Sequence, residues 1–82
     1  MGKARFVRNM GWSNSNVCLY STDDGFLVIS GVNRVSIHET MAFAADENGN
    51  LTNGYSEVSS VRGTTSHQEL LNHMGYELEI NE

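Results

Sequence analysis

Two tight-turn signatures, Asp23-Asp24-Gly25 and Asp46-Glu47-Asn48-Gly49-Asn50, constrain this chain more than anything else in it. Each is flanked by residues that favour extended backbone. Val17 to Thr22 and Phe26 to Ser30 surround the first, and Asp-Gly between two such runs predicts a β-hairpin. Around the second, the alternating run from Val35 to Phe43 precedes an Asn-Gly pair that tolerates positive φ, so the chain is expected to reverse and return from Leu51 to about Glu57. Gly54 would mark a bulge in the returning strand. Phe26 to Ile29 is apolar on both faces, which predicts a central strand covered on each side, by a helix or by a second copy of the chain. Gly31-Val32-Asn33 reads as a change of direction. In the next run Val35, Ile37, Met41 and Phe43 are expected to share the buried face, with Ser36, His38, Thr40 and Ala42 outside.

A polar stretch, Ser59 to Thr65, reads as a surface loop leading into one helix over Ser66 to Met74. Ser66 can cap the amide of Glu69 while Glu69 reaches back to the cap amide, and Leu70, Leu71 and Met74 form the apolar stripe. Gly75 stands where a left-handed residue ends a helix, and Tyr76 to Ile80 alternates as a last strand. The fold class expected is α+β: an antiparallel sheet of four to five strands, two hairpins plus the C-terminal strand, with one short helix packed on it. Residues 1–16 read as a basic, turn-rich arm with at most an edge strand from Phe6 to Met10, and residues 17–82 as a single domain. With 82 residues there is material for one core only.

The charge is uneven. Lys3, Arg5 and Arg8 are three of five basic residues, and the body from residue 9 onward holds two cations against ten carboxylates, a net charge of −8. Such a body favours basic partners and repels a phosphate backbone. Asp23, Asp24, Asp46, Glu47 and Glu57 would form a negative rim at the hairpin ends, able to meet a basic protein or to mimic nucleic acid, or simply to aid solubility. Lys3, Arg5, Phe6, Arg8 and Trp12 interleave cations with rings, the mixture that stacks on and neutralises single-stranded nucleic acid. Three cations on an acidic body make this the lesser reading.

Glu39 shares a phase with Met41 and Phe43, so an unbroken strand would aim its carboxylate at the apolar layer, where burying a charge is costly. It could then serve as an anchor or, with His38, in a small hydrolytic or isomerising enzyme. A bulge near His38 or a place at the rim would remove the puzzle. His67 and His73, six apart on a short helix, fall on different faces, and His38 is in a distant strand, so no metal site is expected. Cys18 in a β-run reads as a small buried hydrophobe, and a lone cysteine fits a reducing, cytoplasmic setting. No glycine-rich phosphate loop or nucleophile elbow occurs, and no catalytic residue or cofactor is expected. No membrane span or export signal is read, and the Asn50-Leu51-Thr52 acceptor is taken as chance.

His38-Glu39-Thr40-Met41-Ala42-Phe43 followed by Asp46-Glu47-Asn48-Gly49-Asn50-Leu51 resembles small, uncharacterised proteins encoded by tailed bacteriophages, and Ser66-His67-Gln68-Glu69 and Met74-Gly75-Tyr76-Glu77 fit the same layout. The resemblance covers roughly the last 45 residues and leaves residues 1–30 outside. It implies a phage accessory product, a class that includes anti-CRISPR and other anti-defence proteins, short acidic binders of host enzymes. The function expected is therefore inhibition of a host defence complex by occlusion, without catalysis, with a homodimer as one way of completing the core. The alternative is a nucleic-acid-binding module using the N-terminal arm.

Overall fold

The structure, a computed structural model, describes residues 2–11, 16–33, 38–54 and 56–79. It consists of β1 (Gly2–Asn9), β2 (Asn16–Thr22), β3 (Gly25–Asn33), β4 (His38–Ala45), β5 (Ser59–Arg62), α1 (His67–His73) and β6 (Tyr76–Glu79). The strands make one six-stranded sheet in the order β5-β4-β3-β2-β1-β6. Every neighbouring pair is antiparallel except β1 and β6, which run parallel. The connection through helix α1 carries the chain from one edge strand, β5, to the opposite one, β6. No helix among the described residues is long and apolar enough to cross a membrane.

The first hairpin forms where expected, with Thr22 opposite Gly25 and Asp23-Asp24 as its two-residue tip. The helix also starts and stops on the expected residues. Ser66 Oγ accepts the Glu69 amide at 3.3 Å, while the Gly75 amide closes on the Asn72 carbonyl with Gly75 at φ 91°, a conformation glycine takes without steric cost. The other half of the expected capping box is replaced: the Ser66 amide donates to Thr64 Oγ1 at 3.0 Å, not to Glu69.

Several expectations are corrected. The basic N-terminal segment is no arm with an edge strand at Phe6 to Met10; it is β1, interior, bonded to β2 on one side and β6 on the other. Gly31-Val32-Asn33 does not turn the chain but completes β3, with Asn33 opposite His38. Among the described residues the return from the second reversal forms no regular strand with β4: it meets it at the bridge of Leu51 to Ala45 and again where the Val58 amide donates to the Ala42 carbonyl, and Gly54, at φ 61°, lies in a turn. The strand that pairs with β4 is instead the polar Ser59–Arg62, which the sequence suggested was loop.

The buried face of β4 is corrected as well. Thr40 and Ala42 are fully buried, whereas Met41 and Phe43 are half-buried on the opposite side. Ala42 belongs to the cluster of Ala4, Cys18, Tyr20, Leu27, Ile29, Leu70 and Leu71 beneath the helix. Small residues on β4 let α1 approach, and the Thr40 hydroxyl is satisfied by donating to the Thr64 carbonyl at 2.7 Å. Val35, Ser36 and Ile37, which were to share this strand, lie outside the described residues, as do Trp12 and Ile80.

The centre of the other face is also packed, as the two-sided apolar character of Phe26 to Ile29 suggested. Val17, Leu19 and Val28 are buried there with Met10, Phe26, Ala45 and Leu51 against them. The cover comes from the chain itself, because the 46–50 reversal folds back over this face. Gly49, at φ 86°, is buried where a Cβ would stand 2.5 Å from the Met10 methyl.

Candidate functional site

Alternation along β1 sends Lys3 and Arg5 to the face opposite the helix and Ala4 into the core. The parallel register then sets Glu77 beside Lys3 and Glu79 beside Arg5. Lys3 Nζ lies 3.5 Å from Glu77 Oε1, and Arg5 Nε donates to Glu79 Oε2. Both pairs are largely exposed, so each contributes little stability by itself.

The third cation arrives by a different route. Strict alternation would place Val7, not Arg8, on the same face as Lys3 and Arg5. A register shift between Phe6 and Arg8 inserts the extra residue, brings Arg8 opposite Leu19 and leaves Val7 exposed. From there Arg8 Nη2 donates to the Asn48 carbonyl at 2.5 Å and clamps the folded-back reversal. All three basic residues of the N-terminal segment therefore have acceptors within the chain. Phe6 is on the helix side, edge-on to Tyr20 with ring centroids 6.0 Å apart, and about half exposed; Trp12 lies outside the described residues. The cations and the ring proposed to grip nucleic acid thus occupy opposite faces.

The acidic residues fall into separate places. Asp23 Oδ2 accepts the Lys3 amide at 3.0 Å, and Asp24 Oδ2 accepts the Tyr76 hydroxyl at 2.6 Å, so the first hairpin tip is tied to β1 and β6. That bond to Asp24, and then burial, push the Tyr76 phenol above its ordinary value. A groove of about 230 Å³ runs beside this tip, lined by Lys3, Arg5, Ser21, Thr22 and Asp23. Asp46 also leaves the sheet at this end, since Ala45 pairs with Phe26. Its carboxylate holds the reversal, accepting the amides of Asn48 and Asn50, each at 2.9 Å. The Asn50 amide above all keeps the Asp46 carboxyl below the usual carboxylate range. Glu47 and Glu57 are exposed, the latter beyond the reversal on the way to β5. Glu39 stands at the other end of β4, half-buried and opposite Arg62 of β5. The structure therefore gathers Asp23 and Asp24 with Glu77 and Glu79 around β6, and leaves Asp46, Glu47, Glu57 and Glu39 elsewhere.

One polar pair escaped sequence reasoning. Tyr20 and His67, 5% and 7% exposed, meet between sheet and helix with the hydroxyl 2.9 Å from His67 Nδ1 and their rings edge-on. The available signal was that Tyr20 shares the face of Cys18 and that His67 opens the helix. Burial first, and the nearby Cys18 second, push the Tyr20 phenol up to about 12, so it stays protonated and acts as a bond donor or acceptor, not as a base. Burial likewise raises the Cys18 thiol, which disfavours the reactive thiolate. Among the described residues no group of three or more His, Cys, Asp or Glu side chains is placed to hold a metal ion.

No protein-family model, no curated protein and no solved structure matches this chain.

Proposed function

We propose that this protein binds and occludes a basic surface of another protein, without catalysis, and that it serves as a phage-encoded inhibitor of a host defence complex. The observation that carries the reading is the fate of the N-terminal cations. Lys3, Arg5 and Arg8 are each engaged by Glu77, Glu79 or the Asn48 carbonyl, while Asp24, Glu47, Glu57 and Glu77 remain on the surface. A negative exterior of this kind selects a positive partner and speeds encounter with it. The phage origin rests on the resemblance described above, and inhibition of a defence complex follows from that origin.

The test is capture from bacterial lysate with the immobilised protein, in parallel with titration of labelled single-stranded DNA and RNA. One basic protein should be retained by the wild type and lost by the Asp23→Asn/Asp24→Asn variant, which removes two charges while its amide oxygens can still accept from the Lys3 amide and the Tyr76 hydroxyl. Retention of nothing, together with nucleic-acid binding that falls steeply with salt and is lost on Lys3→Gln/Arg5→Gln/Arg8→Gln, would transfer the function to the nucleic-acid reading. Charge substitution is the right tool, because deleting β1 would remove an interior strand.

A further inference from the structure

Strand β6 closes the sheet on one side, and its inner edge shows what it accepts. The Gly2 amide donates to the Gly75 carbonyl at 3.1 Å. The regular alternation of a parallel ladder then turns the backbone groups of Glu77 and Glu79 toward β1, and those of Tyr76 and Leu78 toward the outer edge, where no other described strand is paired. On the inner side the neighbour is Lys3-Ala4-Arg5: its cations stand beside Glu77 and Glu79 on one face, and Ala4 stands beside Leu78 on the other. Charge around β6 is not balanced by that neighbour. Asp23, Asp24, Glu77 and Glu79 face two cations, Lys3 and Arg5, a local net charge of −2.

We propose that the outer edge of β6 takes up a strand from a basic partner, one that alternates lysine or arginine with aliphatic residues. Its cations lie beside Glu77 and Glu79 and cancel the residual charge. Its aliphatic side chains extend the layer that Tyr76 and Leu78, both half-buried, begin on the helix side. Its backbone satisfies the outward amides and carbonyls of Tyr76 and Leu78, the mode of recognition known as strand addition. A second copy of this chain fits less well. A two-fold axis that keeps the sheet faces continuous sets Glu77 against Glu79 or against itself, and like charges directly opposite are destabilising. The proposal deepens the basic-partner reading and rests on it.

The probe is a fluorescein-labelled eight-residue peptide alternating lysine and valine, with a glutamate–valine peptide as control. Anisotropy should show saturable binding of the first only, and amide exchange at Tyr76 and Leu78 should slow in the complex. Glu77→Gln/Glu79→Gln should weaken binding by about tenfold, since two cross-strand ion pairs are lost, with circular dichroism unchanged. The proposal is overturned if the lysine–valine peptide fails to saturate, binds the double variant equally, or protects β5 or the 46–50 reversal instead. It is overturned equally by sedimentation showing that self-association occupies β6. A protein that fails this test yet still retains a basic partner through Asp23 and Asp24 keeps the broader reading and loses only the β6 edge.

Discussion

Replacing Tyr20 with phenylalanine removes one oxygen from between α1 and the sheet, and its consequences differ on the two sides of the phenol's titration. At neutral pH the loss is the hydrogen bond to His67 Nδ1, made between two buried side chains and contributing about 1 kcal/mol net. At high pH the sign reverses. Folding raises the Tyr20 phenol from 10.0 to about 12, so the native state favours the protonated form. The stabilisation that goes with it is fully present below pH 10 and disappears as pH climbs through the folded value. At about 1.36 kcal/mol per pKa unit it amounts to at most about 2.7 kcal/mol. Urea unfolding of wild type and Tyr20→Phe, followed by circular dichroism from pH 8 to 12, measures the difference directly. Alkaline groups that do not act on this phenol, Tyr76 among them, are common to both chains and cancel. The wild type should lead by about 1 kcal/mol at pH 8, the curves should cross near about pH 11, and the variant should lead beyond that. Parallel curves over the whole range would refute the account of Tyr20 as a buried phenol kept neutral by its surroundings.

Gly49→Ala forces a side chain onto a backbone at φ 86° and against the end of Met10. Because the Met10 methyl can swing aside, the cost should be mainly the left-handed backbone, about 1 kcal/mol in thermal or urea unfolding, with a shifted Met10 methyl resonance. Ser66→Ala deletes the cap of α1 and should lower stability by about 1 kcal/mol, whereas Ser66→Asp should restore most of it. For Asp46 the folded carboxyl is depressed, so its contribution is present above the ordinary carboxylate range and is lost as pH falls through the folded value. Acid titration by NMR should therefore move the Asn48 and Asn50 amides together at a pH below that range, and Asp46→Asn should flatten both curves.

What could be read from the sequence was local. The Asp23-Asp24 tip, the reversal at Asn48-Gly49, the Ser66 cap and the Gly75 stop each carry their geometry within a few residues. Phe26 to Ile29 announced cover on both faces through composition alone. What could not be read depends on distant neighbours. Lys3, Arg5 and Arg8 look like a solvated arm until Glu77 and Glu79 are placed beside the first two and the Asn48 carbonyl beside the third, and no local pattern foretells a pairing across 74 positions. Hydropathy ranked Met41 and Phe43 above Thr40 and Ala42, yet the close approach of α1 selected the smaller pair. Ser59–Arg62 has no apolar rhythm because an edge strand can be held by its ladder with β4. The acidic residues of the candidate surface were identifiable by type, but Asp46 proved to be committed to its own turn, and which carboxylates gather around β6 was not visible.

The parallel pairing of β1 with β6 also sets an order in time. The first strand can find its hairpin neighbour β2 early, but its second flank stays bare until Tyr76–Glu79 has been made and docked beside it. A chain still emerging from the ribosome therefore displays a cationic, half-finished edge, and contacts of such long sequence separation form slowly. Damage to the last strand should accordingly be felt first at the opposite end of the polypeptide, as a newborn protein that sticks to its neighbours before it has finished folding.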